Sequence, residues 1–279
     1  MRSPIAVTAD PQTKVYGNAD PALTYKTTSG SLVSGDAYSG SLTRAGGETV
    51  AGSPYAITQG TLTAGGNYNI TYVPANLTIT KAPLTVNGAN ASKLLNAPNP
   101  AFTGTITGIR FSDNISATYS TSATQTSPAG TYPINATLVD PDGKLPNYTV
   151  TINPGTLTIS YRWDGFLQPI NDTAHTQATM SVFKAGSTVP VKFQLKDANG
   201  NVVQAASVPL WVTPVKIGTM SQTVDEQVYT DPPTSGQTFR WDGSQYIYNW
   251  QSPKDAGSLY RICAKFDDGQ TQCVNLGLK

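Results

Sequence analysis

Residues 67–80, NYNITYVPANLTIT, return eighty positions later as NYTVTINPGTLTIS at 147–160. Other matches fall at nearly the same distance. KVYGNADPAL (14–23) aligns with KLLNAPNPAF (93–102), pairing Lys14 with Lys93 and Pro21-Ala22 with Pro100-Ala101 at offset 79. Tyr55 and Ile57 pair with Tyr132 and Ile134 at offset 77. An offset drifting between 77 and 80 marks one duplicated unit with small loop insertions and deletions. A chain written this way is a repeat array, built for position rather than for chemistry.

Within each unit the apolar residues alternate with period two. Tyr68, Ile70 and Tyr72 point one way and Asn69 and Thr71 the other, as in a strand. Pro74 interrupts the run and Leu77 and Ile79 resume it, which leaves either two short strands or one bulged edge strand. Turn signals such as SGD, AGG and PDG recur at short intervals, and no segment sustains a helical period for three turns. The expected class is all-β, with tandem Ig-like β-sandwiches in an elongated array. A β-grasp arrangement with one short helix at 31–38 (SLVSGDAY) stays open for the repeats. Lys81-Ala82-Pro83 joins them, and a three-residue joint stiffened by proline is too short to swivel freely. The expected domains are 1–81, 82–160 and 161–279.

Past residue 161 the composition changes. All four tryptophans, both cysteines and the only histidine lie there. FKAGSTVPVKFQLKDANGNVV (183–203) reads as strand, turn, strand, with Asn199-Gly200 suited to positive φ at both positions of a type I′ turn. FRWDGSQYIYNW (239–250) and LYRICAKFDDGQTQCVNLGLK (259–279) read as two more hairpins. This is a different β domain, not a third copy.

Charged residues make up 13% of the chain and the net charge is +1, so there is no electrostatic footprint for nucleic acid or an anionic membrane. No apolar run approaches the roughly 20 residues of a spanning helix. The start, MRSPIAVTADPQ, lacks the apolar stretch of a signal peptide. Met1 is read as an artificial start, with the natural chain expected to continue upstream.

Few residues are candidates for chemistry, and no catalytic, cofactor-binding or metal-binding residue is assigned. His175 is the one candidate general base, but it sits in a polar stretch without a nucleophile elbow and reads as a solvated loop residue. Cys263 and Cys273 flank the turn at Asp267-Asp268-Gly269 and stand opposite each other across a hairpin, within reach of a disulfide. DPDGK (140–144) and DANGN (197–201) echo calcium loops but lack the closing glutamate and read as turns. Lys14, Lys26, Lys93 and Lys144 form no recognisable isopeptide motif. Tyr246, Tyr248 and Trp250 share one face of a strand, which serves either as sandwich core or as a platform for stacking sugar rings.

KVYGNADPALTY (14–25), SGDAYSGSLTR (34–44) and YAITQGTLTAGGNYNITYVPANLTIT (55–80) resemble the MBG family of bacterial surface repeats, closely over 5–81 and more loosely over 82–160. FLQPIND (166–172), FKAGSTVPVKFQLKDANGN (183–201), YIYNW (246–250) and KFDDGQTQCVNLGLK (265–279) resemble the PxKF family. These resemblances imply a secreted or cell-surface bacterial protein without enzymatic activity, working as a stalk or adhesin segment beside other domains of a longer surface protein. Two alternatives stand beside it. One is a module binding glycan or surface polysaccharide through Tyr246, Tyr248 and Trp250. The other is a filament subunit joined to neighbouring subunits by strand exchange.

Overall fold

The computed structural model describes residues 2–172, 175–177 and 179–279; Met1, read above as an artificial start, lies outside them. The chain forms two compact units, one of Met1–Gly88, Thr103–Tyr119 and Ala136–Pro154, the other of Ala89–Phe102, Ser120–Asn135 and Gly155–Lys279. No α-helix occurs among the described residues, and the structure is all-β.

The duplication in the sequence is a duplication of strands. The first repeat runs β1 (Ser3–Ala9), β2 (Gln12–Val15), β3 (Tyr25–Ser29), β4 (Thr43–Arg44), β5 (Tyr55–Thr58), β6 (Tyr68–Val73) and β7 (Ala75–Thr80). The second runs β8 (Ala82–Gly88), β9 (Ala91–Leu94), β10 (Gly104–Thr107), β11 (Ser116–Ser120), β12 (Gly130–Val139), β13 (Tyr148–Asn153) and β14 (Gly155–Ser160). Sheets ordered β3-β1-β6 and β2-β7-β5-β4 in the first repeat become β10-β8-β13 and β11-β12-β14-β9 in the second. β1 pairs parallel with β6 and β2 with β7, as β8 does with β13 and β9 with β14.

Pro74 separates two strands that belong to different sheets, which settles the choice between two strands and one bulged strand. A proline there costs no ladder bond, because the chain is leaving one sheet for the other. In β7 the pattern ANLTIT buries Leu77 and Ile79 and exposes the threonines. The core of the first unit is built from Val7, Tyr55, Ile57, Leu77 and Ile79, and it continues through Ala82, Leu84, Ile115 and Tyr148. The β-grasp alternative fails at 31–38. That segment holds a turn at Ser34-Gly35, closed by Asp36 N–H donating to the Val33 carbonyl at 3.0 Å. A glycine at φ +97° ends any helical path there.

In the second unit, residues beyond 161 supply β15 (Phe166–Leu167), β16 (Val182–Phe183), β17 (Thr188–Phe193), β18 (Leu195–Lys196), β19 (Val202–Val203), β20 (Leu210–Thr219), β21 (Arg240–Trp241), β22 (Tyr246–Gln251), β23 (Ser258–Lys265) and β24 (Thr271–Leu278). Two four-stranded sheets, β15-β17-β22-β21 and β16-β24-β23-β20, enclose one aromatic-rich core, beside the ribbon β18-β19. The β18–β19 turn is not the type I′ turn expected. Only Gly200 has positive φ, and Asp197 organises the loop by accepting the Asn199 and Asn201 amides at 2.9 Å.

Candidate functional site

The repeats meet through the stretch KVYGNADP. After β2 the chain turns at Tyr16-Gly17, where the Tyr16 amide donates to the Thr80 carbonyl at 2.8 Å and Gly17 takes φ +82°. Tyr16 is thereby aimed at the second repeat. Its hydroxyl donates to Asp113 Oδ2 at 3.0 Å, and Tyr148, from the second repeat, donates to the same oxygen at 2.6 Å. The rings of Tyr16 and Tyr148 meet edge-on at 5.4 Å, and Phe111 lies edge-on to Tyr16 at 5.3 Å. The Tyr148 oxygen also accepts the Arg110 amide at 2.9 Å. A Cβ on Gly17 would stand 2.5 Å from Arg110 Cβ, so the Arg110 stem can lie there only because residue 17 has no side chain. Alongside, the Val50 amide donates to Asn147 Oδ1 at 2.9 Å.

Burial, with the Asp113 carboxylate beside it, raises the Tyr148 hydroxyl to about 12. Tyr16 moves the same way for the same causes. Both hydroxyls therefore stay protonated and donating at every physiological pH. The hydroxyls of two buried tyrosines on one carboxylate oxygen form a latch, with charge-assisted bonds stronger than neutral ones. An open cleft of about 440 Å³ borders it, lined in part by Glu48, Asp113, Asp142 and Lys144.

The second repeat uses the corresponding turn in the same way with different chemistry. Leu95 N–H donates to the Ser160 carbonyl at 2.8 Å, and Asn96 takes φ +65° where the first repeat has glycine. Leu95 packs against the aromatic core of the C-terminal sandwich, its carbonyl accepting the Ala198 amide at 3.0 Å. Asn96 Nδ2 donates to Asp197 Oδ2 at 3.0 Å. DANGN is thus an acceptor turn for the preceding repeat. In DPDGK, Asp140 caps its own turn by accepting the Lys144 and Leu145 amides at 2.9 and 2.7 Å. Among the described residues no three His, Cys, Asp or Glu side chains cluster as metal ligands.

Behind the Tyr16 turn lies an ionic cluster. Buried Lys14 Nζ sits 2.6 Å from Asp20 and also bonds Glu48, and Arg44 grips both carboxylates. Burial works against the Lys14 charge, but the two carboxylates outweigh it and its pKa rises. In the second repeat Asn99 and Gln125 stand where Asp20 and Glu48 were, and Lys93 donates instead to the carbonyls of Ala97, Thr124 and Gln125. With only dipoles to hold its charge, Lys93 is lowered by burial. Arg44, ahead of Lys14, holds the Asp20 carboxyl down to about 2. A carboxyl depressed in the folded state stabilises above its unfolded value, near 3.8, and that stability is lost as pH falls toward 2. Asp20 is 40% exposed, so screening limits its share to under about 1 kcal/mol. Asp20→Asn should therefore lower the first repeat's melting temperature slightly at pH 7 and leave it nearly unchanged at pH 2, which flattens the acid limb between pH 4 and 2. An unchanged acid limb would contradict this.

The remaining sequence candidates fall as follows. Cys263 and Cys273 face each other directly across β23–β24 and are joined, closing the last hairpin. His175 is not simply solvated: its Nδ1 lies 2.8 Å from Oδ2 of buried Asp172, and its ring meets Trp163 edge-on at 5.9 Å. Residues 173, 174 and 178 beside it lie outside the described residues. Tyr246, Tyr248 and Trp250 are only 1, 7 and 8% exposed. Tyr248 stacks on Trp211 at 4.3 Å and Tyr246 on Phe193 at 5.2 Å, so these faces look into the sandwich. Of the two readings for these residues, that burial fits the sandwich core: ring faces already stacked on core partners are not open to a sugar. The Tyr16–Asp113 latch is not legible in the sequence alone. Its one sequence signal was the retained turn, KVYG against KLLN.

A family model described as MBG domain (YGX type) matches twice, at residues 5–78 and 84–158. No curated protein matches the sequence. Among solved structures, the chain is similar to the adhesin InvE of Yersinia pseudotuberculosis at 13% identity and TM-score 0.28, covering 70% of this chain and 58% of that one. Domains 4 and 5 of the S-layer protein SbsC are similar at 14% identity and TM-score 0.22, covering 64% and 84%. The fibronectin(III)-like modules of Clostridium thermocellum CbhA are similar at 12% and TM-score 0.22, covering 68% and 90%. Likenesses at these scores carry no argument about ligand or activity.

Proposed function

Because the chain belongs to the MBG domain (YGX type) family through both of its repeats, we propose that it is a tension-bearing spacer in a bacterial cell-surface protein. On this reading it holds other modules of a longer chain at a fixed distance, as a stalk or adhesin segment, and performs no chemistry of its own. Residues 161–279 complete it as a PxKF-type domain.

The observation that carries the proposal is the pairing of early and last strands. In the first repeat β2 runs parallel to β7, in the second β9 to β14, and beyond residue 161 β16 to β24. Pulling on the two ends of such a unit slides parallel neighbours past each other. Their evenly spaced ladder bonds are then loaded together rather than opened one at a time. Resistance to force is a property of the unfolding barrier, which this geometry raises. The cross-strand disulfide closes the terminal hairpin in the same sense. A glycan-binding role through Tyr246, Tyr248 and Trp250 finds no support in rings packed at 8% exposure or less.

Single-molecule pulling tests the proposal. Held by its ends, the chain should unfold in discrete domain-sized steps. Held at residues 43 and 58, opposite partners in the antiparallel β4–β5 pair, the first repeat should open at distinctly lower force. Equal forces in the two geometries, or smooth extension without steps, would remove the mechanical reading.

A further inference from the structure

Each element of the latch that receives Tyr16 has a counterpart in the first repeat, and among the described residues no tyrosine turn sits on it. In the second repeat, the turn at Phe111-Ser112 is closed by Asp113 N–H on the Arg110 carbonyl, and Tyr148 bonds Asp113 and accepts the Arg110 amide. In the first, Asp36 N–H closes the turn on the Val33 carbonyl, Tyr68 donates to Asp36 Oδ2 at 2.6 Å, and Tyr68 accepts the Val33 amide at 2.9 Å. The bond lengths match those at Tyr148, 2.6 and 2.9 Å. What differs is the guest. Asp113 also carries the Tyr16 hydroxyl and is half-buried, whereas Asp36 is exposed. Val33 holds the position from which Arg110 covers Gly17, and at 66% exposure it is a large apolar side chain left in water.

We propose that Asp36, Tyr68 and Val33 form a docking socket for the Tyr-Gly turn of another repeat of this family placed ahead of this one. The guest tyrosine would donate to exposed Asp36 beside the Tyr68 hydroxyl, and its glycine would rest on Val33. The occupant follows from continuity with the joint already present: the same acceptor, hydroxyl and turn receive a Tyr-Gly turn seventy-seven to eighty residues further on. A second copy of this chain does not fit the role. Its own Tyr16 is already held by its own Asp113, and its second turn carries Leu95-Asn96. This inference stands on the latch geometry and is independent of whether the chain bears tension.

Hydrogen exchange tests it in two ways. First, within the unextended chain, the amides of Arg110 and Asp113, whose socket is filled, should exchange about tenfold or more slowly than those of Val33 and Asp36, whose socket is open. Equal rates would overturn the inference. Second, a chain in which residues 3–81 are repeated ahead of Ser3 should protect Val33 and Asp36 by a similar factor. Tyr16→Ala in the added copy alone should abolish that gain. No gain in the extended chain, or a gain that survives Tyr16→Ala, would sink the socket. Protection of Val33 and Asp36 that rises with concentration in the unextended chain would also overturn it, by making a second copy the guest.

Discussion

Tyr246→Ala should cost the C-terminal sandwich about 4 kcal/mol, enough to consume a large share of an ordinary domain's stability. The residue is 1% exposed, its ring is stacked on Phe193 and tilted against Trp241 at 4.9 Å, and its hydroxyl accepts the Ala205 amide at 2.7 Å. Truncation leaves a cavity among rings that cannot collapse onto one another, and a buried N–H without an acceptor. Tyr246→Phe isolates the second loss and should cost about 1–3 kcal/mol. Denaturant unfolding followed by tryptophan fluorescence reads both, because all four tryptophans lie beyond residue 161. A ligand platform would behave in the opposite way: alanine would change stability by less than about 0.5 kcal/mol and abolish binding to a polymer.

Asp113→Ala should cost the first unit about 2–3 kcal/mol, since it leaves two tyrosine hydroxyls without their shared charged acceptor. The loss falls on the joint, so the strands within each repeat should remain folded. Gly17→Ala attacks the same joint from the other side. It forces a side chain to φ +82° and into the Arg110 stem, and should cost roughly 2 kcal/mol. The two substitutions touch one contact, so the double variant should lose less than the sum of the singles. Full additivity in thermal or denaturant unfolding would mean that Tyr16-Gly17 and Asp113 do not act together.

Much of this architecture is written locally. The offset between NYNITYVPANLTIT and NYTVTINPGTLTIS reports the duplicated sheets, and the alternation of Leu77 and Ile79 with threonine gives the buried face of β7. The register that joins Cys263 to Cys273 follows from counting outward from Asp268. Other features depend on partners far away in sequence. Asn199-Gly200 looks like a type I′ turn until the Asp197 carboxylate collects its amides and a contact from Asn96. SLVSGDAY holds one turn's worth of helical spacing, but Tyr68 captures Asp36 and the Val33 amide and fixes a turn instead. The latch is the extreme case. Tyr16 and Asp113 are 97 residues apart, and nothing in either segment alone distinguishes a docking tyrosine from a core one.

A spacer works only if its joints hold a fixed geometry. Spin labels at Thr78→Cys and Thr151→Cys, both exposed strand positions of the first unit, report that joint directly, since Cys263 and Cys273 are bonded to each other and do not label. Pulsed electron paramagnetic resonance should give one narrow distance distribution, broadened in the Asp113→Ala background. A broad distribution in the parent chain, unchanged by Asp113→Ala, would mean that the repeats swing freely and that the chain does not set distance.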